Sequence, residues 1–390
     1  MTSFREIVSR EDAHESGVFP KRPVAIVRGQ GARLWDVDGK EYIDAGASYG
    51  CMNVGHGNPE VLAALREQSE RLVYVQQTLY TPQRANLLER LSTLSPGLTR
   101  SFLSNSGAEA VEAAIKFARA HTGRAGVVAA KRGFHGRTLG ALSATWKPEY
   151  REPFEPLVPG FSFAAYGDEE ALKQAVTRET AAVLLEPVQG EAGVVVPPPS
   201  YLRAAAQIAH DAGALLVLDE IQTGLGRTGR LLAREHSGVE PDIVCLGKSL
   251  AGGLPVGATL LRPEICTLPK AAHGNTFGGS PLVCAAANAT FAYLLRERLW
   301  ERAATLGERA TKQLSSIDSG KIREVRGVGL MLAVELREKA GPFLSAMIER
   351  GVIPLAAGST TIRLLPPLVV TESEMDRVVA VVRDVLADGR

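Results

Sequence analysis

Short apolar runs alternate with helix-length segments between residues 82 and about 285. The helical segments include GAEAVEAAIKFARAHTG and SYLRAAAQIAHDAG, which both end at a glycine. The strand-like runs are SFLSN, GVVAAKRGF, TAAVLLEPV, ALLVLDE and DIVCLG. Strands that alternate with helices form a mainly parallel sheet with helices on both faces. The pattern therefore predicts an α/β fold built on one large sheet.

Each of these five runs ends at, or is soon followed by, a residue that is able to contact a ligand. In sheets of this type, ligands bind beyond the carboxyl ends of the strands. We therefore expect one site that contains residues from all five strand ends, which are Asn105, Phe134, Glu186, Asp219 and Lys248.

The chain has a different pattern on both sides of this region. Residues 1–20 are polar and are expected to form a loosely attached lead-in, and PVAIVRGQGARLWDVDGKEYIDAGA predicts a small antiparallel hairpin or meander. The last hundred residues mix helices and strands. We expect both chain ends to form a smaller α+β domain, which gives an N-terminal segment 1–58, a large domain 59–285 and a C-terminal segment 286–390.

Composition excludes several classes of function. The formal net charge of +1 gives no support for nucleic acid or an anionic membrane as the main partner. No apolar run approaches the roughly 20 residues of a membrane-spanning helix, and the N-terminus lacks the apolar stretch of a secretory signal. A cytoplasmic location is expected. The cysteines and histidines lack metal-ligand spacing, so we expect no metal site.

Asp219 and Lys248 offer an acid and an amine at two strand ends. Asp219 follows the run LLVL and should be buried, and a buried carboxylate needs a cationic partner. A protonated pyridinium ring would supply that partner. Lys248 lies between small residues, and a lysine that is held out of water beside a cationic ring has the lowered pKa that imine chemistry needs. A surface acid and a solvated lysine are the simpler alternatives.

A second feature of the large domain suits a phosphate. Ser106 and Glu109 have capping-box spacing at a helix start that follows a strand. The N–H groups of Ser106, Gly107 and Ala108 would then face the active edge of the sheet and be available to a phosphate. A cap without a ligand is the alternative.

GLGRTG, at residues 224–229, matches the glycine pattern of dinucleotide-binding proteins. That fingerprint needs its glycines at the turn from strand to helix. Here DEIQT intervenes, and the residues that follow make a poor helix. The pattern therefore favours a loop shaped by glycines over a nicotinamide site.

Aromatic and charged residues complete the candidate site. Phe134, between Gly133 and His135, is placed to cover a ring face, and Arg137 belongs to a small cationic group suited to a carboxylate. Arg363 lies within an apolar run, and Glu191 is its expected partner.

Seven stretches occur in the order and spacing of the class III aminotransferases, which the chain resembles over nearly its whole length. They are SNSGAEAVEAAIKFAR, RGFHGRT, LLEPVQGEAGV, LVLDEIQTGLGRTG, DIVCLGKSLAGGLPVGA, HGNTFGGSP and IRLLPPLVV. The resemblance implies a pyridoxal 5′-phosphate enzyme of fold type I. Its large domain would have a mixed, mainly parallel sheet, its smaller domain would come from both chain ends, and it would be a homodimer with shared active sites.

The resemblance also implies a role for each candidate residue. Lys248 would be the Schiff-base lysine and proton carrier, Asp219 the acid at the pyridine nitrogen, and Gln222 a neighbour of the phenolic oxygen. Phe134 would stack on the ring, while Ser106, Gly107, Ala108 and the partner subunit's Thr276 would hold the phosphate. Arg137 would bind the carboxylate of the amino donor. Arg363 and Glu191 would form a switch, in which Glu191 neutralises Arg363 for an ω-amine substrate and releases it for 2-oxoglutarate or glutamate.

The implied reaction is a ping-pong transfer of the ω-amino group between an N2-blocked ornithine or lysine and 2-oxoglutarate, in arginine or lysine biosynthesis. The block would be an acetyl group or an acidic amino-group carrier protein of the LysW type. TWKPEYREPF and QTLYTPQR are most similar to the carrier-dependent enzymes. A racemase or aminomutase on the same fold is a further possibility, and the Arg363–Glu191 pair favours transamination.

Two residues bear on the choice of substrate. Phe19 stands near a position where free-ornithine enzymes have a tyrosine, so it disfavours a free polar head group. Tyr49 resembles both types, which keeps free ornithine or 4-aminobutyrate as the alternative substrate. A basic rim for an acidic carrier would come from Lys21, Arg22, Arg28 and Arg33, although an ordinary solvated face is an equally good interpretation of them.

Overall fold

A computed structural model describes residues 3–387. The helices are α1 (Phe4–His14), α2 (Ala47–Gly50), α3 (Pro59–Arg71), α4 (Pro82–Leu94), α5 (Gly107–Thr122), α6 (Leu139–Ala144), α7 (Pro148–Arg151), α8 (Glu169–Ala175), α9 (Tyr201–Asp211), α10 (Pro281–Arg296), α11 (Leu299–Ser315), α12 (Gly341–Glu349) and α13 (Glu372–Ala387). The strands are β1 (Ile26–Gln30), β2 (Arg33–Asp36), β3 (Glu41–Asp44), β4 (Arg100–Ser104), β5 (Gly126–Ala130), β6 (Phe161–Ala164), β7 (Thr180–Leu185), β8 (Leu215–Asp219), β9 (Ile243–Leu246), β10 (Gly257–Leu261), β11 (Ile322–Val328), β12 (Met331–Leu336), β13 (Val352–Ile353), β14 (Leu355–Ala357) and β15 (Thr361–Leu364).

The seven-stranded sheet has the order β4-β10-β9-β8-β7-β5-β6. Only β10 runs against its neighbours in this sheet, so the remaining strands are parallel to one another. The predicted α/β class with a mixed, mainly parallel sheet is confirmed. All the parallel strands end at the same edge, which places the residues after them together.

Both faces of this sheet are buried, as the unbroken apolar runs predict. Along β8, Leu216 and Leu218 pack into one apolar cluster, and Leu215 and Val217 pack into the cluster on the opposite face. Helix α5 contacts β4, β7, β8, β9 and β10. The sheet is thus a rigid support for the loops at its edge.

Two smaller sheets contain the other strands. One has the order β1-β2-β3-β13, in which the short C-terminal strand β13 runs parallel to β3 from the N-terminal meander. The other has the order β11-β12-β15-β14 and is antiparallel. The antiparallel N-terminal pairing agrees with the prediction for that stretch.

The N-terminal lead-in differs from the expectation, because it contains helix α1. Ser3 and Glu6 form a capping box at its start, and none of its residues is buried. Its large apolar residues, Phe4, Ile7 and Val8, have helical spacing but are confined to its first half, so hydrophobic periodicity indicates it only weakly. Within residues 3–387, no helix combines the length and the apolar character that crossing a membrane requires.

Candidate active site

The loops at the carboxyl edge of the large sheet enclose a cavity of about 170 Å³. Its lining includes residues that follow β4, β5, β7, β8 and β9, as the strand-end pattern predicts. Seven of the candidate residues line it, namely Gly107, Ala108, Phe134, Glu191, Asp219, Gln222 and Lys248, together with Glu186.

Lys248 stands two residues beyond β9 and projects into this cavity. Its backbone has a φ of 46°, a left-handed conformation that costs a non-glycine residue roughly 1–2 kcal/mol. Burial lowers the pKa of its amine, and the charges of Glu191 and Asp219 oppose that effect only in part. The lowered pKa agrees with the prediction and favours the neutral, nucleophilic amine.

Asp219 is the last residue of β8 and is only 4% exposed. Its Oδ2 lies 2.8 Å from Nδ1 of His135, and its Oδ1 accepts a hydrogen bond from the Ile221 N–H at 3.1 Å. Burial lowers the pKa of His135, but the bond to Asp219 outweighs that effect and the net shift is upward. His135 is thus a partner of the buried acid within the protein, whereas the sequence interpretation assigned that partnership to a ligand alone.

Glu186 follows β7 directly and links two loops of the site. Its Oε1 accepts the Phe134 N–H at 2.9 Å, and its Oε2 accepts the Gly190 N–H at 3.3 Å. Burial raises the pKa of this carboxyl to about 7, against the charge of His135. Glu186 therefore fixes the loop that carries Phe134 relative to the loop that carries Glu191.

Helix α5 begins at Gly107 beside the cavity, and Ser106 is its N-cap. Ser106 Oγ accepts the Glu109 N–H at 3.1 Å, but the Glu109 carboxylate bonds to Asn105 and not to the Ser106 N–H. Only half of the predicted capping box is thus present. A Cβ on Gly107 would lie 2.9 Å from the side chain of Ile221, so glycine is needed for this close packing.

The loop at residues 224–229 is not a phosphate-binding turn. Gly226 and Gly229 have φ values of 91° and 87°, and a Cβ on Gly229 would lie 3.0 Å from Ala304 Cα in α11. Between them, the fully buried Arg227 donates hydrogen bonds to the Leu330 and Pro366 carbonyls at 2.8 and 2.6 Å. These glycines shape a loop that packs against C-terminal elements, as the sequence favours.

Phe134 and Arg137 lie on one side of the cavity with a residue that the sequence interpretation missed, Tyr150. The Arg137 guanidinium lies 3.6 Å from the centroid of the Tyr150 ring and 5.6 Å from that of Phe134. The two rings meet edge to face at 6.2 Å. Arg137 makes no hydrogen bond or ion pair with an acid within residues 3–387. Its guanidinium is held by aromatic rings and remains available to a carboxylate.

Arg363, on β15, is fully buried. Its Nη1 donates to Glu191 Oε1 at 2.7 Å and approaches Gln222 Oε1 at 3.5 Å. Its Nε and Nη2 are buried and have no partner in the described part of the chain. A Cβ on Gly190 would lie 1.8 Å from Gln222 Oε1. A glycine at this position, next to Glu191, therefore leaves room for the side-chain amide of Gln222.

Several candidate residues lie outside the lining of this cavity. Asn105, Ser106, Arg137 and Arg363 adjoin residues that line it, and three others lie at the surface. Phe19 is on the surface and is 71% exposed. The Tyr49 ring is 61% exposed, while its carbonyl accepts a hydrogen bond from Gln222 at 3.5 Å. Thr276 is exposed, and its carbonyl accepts the Tyr74 hydroxyl at 2.9 Å. A single chain does not bring these three to the site.

Half of the basic rim proposed from the sequence is paired with acids. Lys21 lies 3.2 Å from both Glu11 and Asp12. Arg33 lies 2.7 Å from Glu374 and 3.2 Å from Glu41. Of the four residues, only Arg22 and Arg28 have no ion pair with an acid in the described part of the chain.

These residues fit the pyridoxal phosphate that the resemblance implies. The cavity has a buried amine, a buried acid backed by a histidine, an aromatic ring and the N-terminus of a 16-residue helix. Such a helix start favours a phosphate. Within residues 3–387 there is no group of three or more ligating side chains that would hold a metal ion.

Comparisons with known proteins agree with this geometry. A family model described as aminotransferase class-III matches residues 16–386. A [LysW]-aminoadipate semialdehyde transaminase from Deinococcus radiodurans is 47% identical, over 97% of this chain and 90% of its own length. An acetylornithine aminotransferase from Methanopyrus kandleri is 45% identical, over 98% of each chain.

The solved structures include an ornithine aminotransferase from Toxoplasma gondii, which is described with partial occupancy of pyridoxal phosphate at its active site. It superposes with a TM-score of 0.95 at 34% identity and covers 99% of this chain and 94% of its own. The chain belongs to the class III aminotransferases and is a pyridoxal-phosphate-dependent transaminase.

Proposed function

We propose that this enzyme moves the ω-amino group between an ornithine or lysine with a blocked α-amine and 2-oxoglutarate, by a ping-pong mechanism, in arginine or lysine biosynthesis. Biosynthesis would use the direction from semialdehyde to amine, with glutamate as the donor. The observation that carries this proposal is the state of Arg363, a buried guanidinium with one acid partner and two unused donor atoms beside the cavity of Lys248.

Arg363 suits an enzyme with two unlike substrates. While Glu191 holds it, the guanidinium is neutralised and an uncharged carbon chain is accepted nearby. Glu191 is 34% exposed and is therefore able to turn away. The freed guanidinium, with Nε and Nη2 also unpaired, then has the planar fork that binds a second carboxylate such as that of glutamate.

When bound, pyridoxal phosphate supplies an electron-accepting ring and an aldehyde carbon for the amino group. Lys248 would hold and move the proton, because burial lowers the pKa of its amine and so favours the neutral form that accepts a proton. Asp219, with His135 behind it, would keep a proton on the ring nitrogen. Phe134 would cover the ring, and Gln222 would lie near the phenolic oxygen of the ring. The phosphate would be bound by Ser106, Gly107, Ala108 and the partner's Thr276.

Arg137 would bind the α-carboxylate of the amino donor. It lies beside Phe134 and has no acid partner in the described chain, so a substrate carboxylate would be its first. Binding the α-carboxylate there leaves the ω-amine as the group that reaches Lys248. The names of the Deinococcus and Methanopyrus relatives support a substrate of this kind. An acidic carrier protein is the partner we propose for the blocking group.

A cytoplasmic homodimer is part of the same proposal. Apolar side chains are exposed together on residues 72–80 and at Phe277, and the Tyr74 and Phe277 rings lie 5.3 Å apart. Tyr80 is fully exposed. A second copy of the chain would cover this surface and bring Thr276 to the neighbouring phosphate. Phe19 and Tyr49 would then act at the substrate entrance.

A panel of single half-reactions tests the proposal. The cofactor-loaded enzyme is mixed with N2-acetylornithine, N2-acetyllysine, free ornithine or 4-aminobutyrate, and the visible absorbance of the bound cofactor is followed. We expect the blocked diamines to react at least about tenfold faster than the free ones, because an acylated α-nitrogen is neutral and is not repelled by the Arg137 guanidinium, which has no acid partner in the described chain. Fast conversion of free ornithine or 4-aminobutyrate, with none of the blocked substrates, would establish the alternative.

A further inference from the structure

Residues 275–279 form an irregular segment without helix or strand, and it contains Thr276. We call it the Thr276 segment. The side chains of Thr276 and Phe277 are exposed. At one end, Asn275 Nδ2 donates to the Leu103 carbonyl of the large sheet at 2.9 Å. An exposed segment has few buried apolar contacts, so its conformation depends on hydrogen bonds such as this one.

The stretch at residues 74–84 supplies further hydrogen bonds to the Thr276 segment. The Tyr74 hydroxyl donates to the Thr276 carbonyl at 2.9 Å. Arg84 Nε donates to the Gly279 carbonyl at 3.0 Å. Thr276 and the far end of its segment are thus both held by side chains from one stretch of the chain.

Arg84 is the centre of this arrangement. It lies near the start of α4 and is only 9% exposed. Besides the bond to Gly279, its Nη1 donates to the Gln77 and Leu79 carbonyls at 3.1 and 2.9 Å. The donors of one planar guanidinium therefore fix the loop before α4 relative to the Thr276 segment.

Arg84 has no acid partner within residues 3–387. Carbonyls of the two segments alone position its buried guanidinium, and the guanidinium in turn positions those carbonyls. The backbone is adapted to this contact, because Gly279 has a φ of 70° and a Cβ there would lie 2.9 Å from Leu103 Cδ1 and 3.3 Å from Arg84 Nε. Movement of the guanidinium would therefore shift the Thr276 segment.

We propose that Arg84 and Tyr74 are positioning residues, which hold Thr276 in the conformation that binds the cofactor phosphate in the other subunit. The inference rests on the proposed function, in which two copies of the chain share their active sites. Thr276 does not line the cofactor cavity of its own chain. The exposed apolar surface at residues 72–80, on which Phe277 packs, would be covered by the second copy. Arg84 would then act on the other subunit's active site and not on its own.

Mixed dimers show in which subunit Arg84 acts. Two differently tagged chains are produced together, and one of them has Lys248→Ala, so only the other chain attaches the cofactor covalently. The loaded dimer is treated with alkaline phosphatase, which destroys cofactor that dissociates. Samples are reduced with borohydride at intervals, which makes the bond between the remaining cofactor and Lys248 permanent. The labelled fraction of that chain, measured by mass spectrometry, gives the dissociation rate from one cavity alone.

Arg84→Met is placed in each chain in turn. In the chain with Lys248→Ala, it disturbs the Thr276 that serves the labelled cavity. We expect the cofactor to dissociate about tenfold faster, as the loss of one charge-assisted hydrogen bond would give. In the chain that keeps Lys248, Arg84→Met should leave the rate unchanged, since the labelled cavity receives Thr276 from an unaltered chain. Arg66→Met, at an exposed position of α3, is the matched control and should have no effect in either chain.

Equal acceleration in the two arrangements would overturn the proposal, because a general structural role does not depend on which chain is altered. Acceleration only where Arg84→Met and Lys248 share a chain would also overturn it. If Arg84→Met prevents dimer formation, Tyr74→Phe removes a single hydroxyl and takes its place in both arrangements. It should give a smaller acceleration from the chain with Lys248→Ala, and no acceleration there would contradict the proposal.

Thr276→Val in the same two arrangements tests the shared active site itself. If it acts only on the cavity of its own chain, or on neither cavity, the shared site of the proposed function is wrong. If Thr276→Val acts across the dimer and Arg84→Met does not, the shared site stands and only the positioning role is wrong.

Discussion

Two buried glutamates have raised pKa values, but only one of them belongs to the candidate active site. Glu186 lines the cofactor cavity, and burial raises its pKa to about 7. Glu220, next to Asp219, accepts the Ala233 and Arg234 N–H groups at 2.6 and 2.9 Å, and burial raises its pKa to about 7 as well. Glu220 does not line the cavity, and its hydrogen bonds hold a turn. The ionisation of Glu220 should therefore affect the stability of the fold.

Glu220 makes stability depend on pH. An ordinary glutamate ionises near pH 4.5 and folded Glu220 near 7, so the folded chain binds the extra proton between these values. The free energy of unfolding should therefore fall as pH rises through this window, by up to about 3 kcal/mol. Glu220→Gln removes the effect. Urea unfolding at pH 5 and pH 8 measures the free energy of unfolding. Relative to the wild type, Glu220→Gln should be more stable at pH 8 than at pH 5.

The control for this experiment is Glu240→Gln, which changes an exposed carboxylate that follows the same turn. An exposed carboxylate is not desolvated, so its substitution should change stability about equally at both pH values. A Glu220→Gln difference that is the same at pH 5 and pH 8 would show that burial does not govern this group.

At the scale of elements, the loop at residues 224–229 joins the large sheet to the C-terminal part of the chain. Arg227 reaches across with hydrogen bonds to two carbonyls and to Asn53 Oδ1 at 2.6 Å. Burial lowers the pKa of its guanidinium to about 9. Its partners are carbonyl and amide oxygens, and without it these buried acceptors would have no donor.

Arg227→Met should therefore lower the free energy of unfolding by about 3 kcal/mol, because a buried hydrogen-bonded cation is replaced and its acceptors are left unsatisfied. Chemical denaturation of the holoenzyme checks this value. Arg230→Met, at an exposed position of the same loop, is the matched control and should change it by less than about 0.5 kcal/mol. A similar small loss for both variants would mean that the Arg227 bonds do not join the elements.

The sequence predicts the parts of this fold that follow from hydrophobic pattern. The runs around Leu216 and Val244 are buried on both faces, so their apolar character alone identifies central strands. Helix α1 was missed because its apolar stretch is short, and the partnership of His135 with Asp219 was missed because the two residues are far apart in the sequence. Tyr150 was missed because its contact with Arg137 joins a loop and a separate short helix. Lys248, Asp219 and Phe134 line one cavity, and the sequence predicts that they lie together because each follows a recognisable strand.

For the whole molecule, we propose that residues 1–58 and 286–390 form the smaller domain. The pairing of β13 with β3 and the ion pair of Arg33 with Glu374 support that division. Arg363 comes from this part of the chain, whereas Glu191 comes from the large sheet. The proposed switch thus lies where the two parts meet.

The proposed dimer predicts a solution mass of twice 41.6 kDa. Tyr80→Glu places a charge in the exposed apolar surface at residues 72–80 and should weaken association at least tenfold, since burying an unpaired charge is costly. Sedimentation at decreasing protein concentration measures the change. Phe154→Glu alters another exposed aromatic residue and should leave association unchanged. Equal behaviour of the two variants would place the interface elsewhere.

The most direct measurement compares both half-reactions in wild type and in Glu191→Ala. With the cofactor-loaded protein, one half-reaction uses the blocked ω-amine and the other uses glutamate. If Glu191 neutralises Arg363 only for the ω-amine, the variant should lose at least about tenfold more rate with the ω-amine than with glutamate. Equal losses with the two substrates would contradict the switch and the two-substrate function built on it.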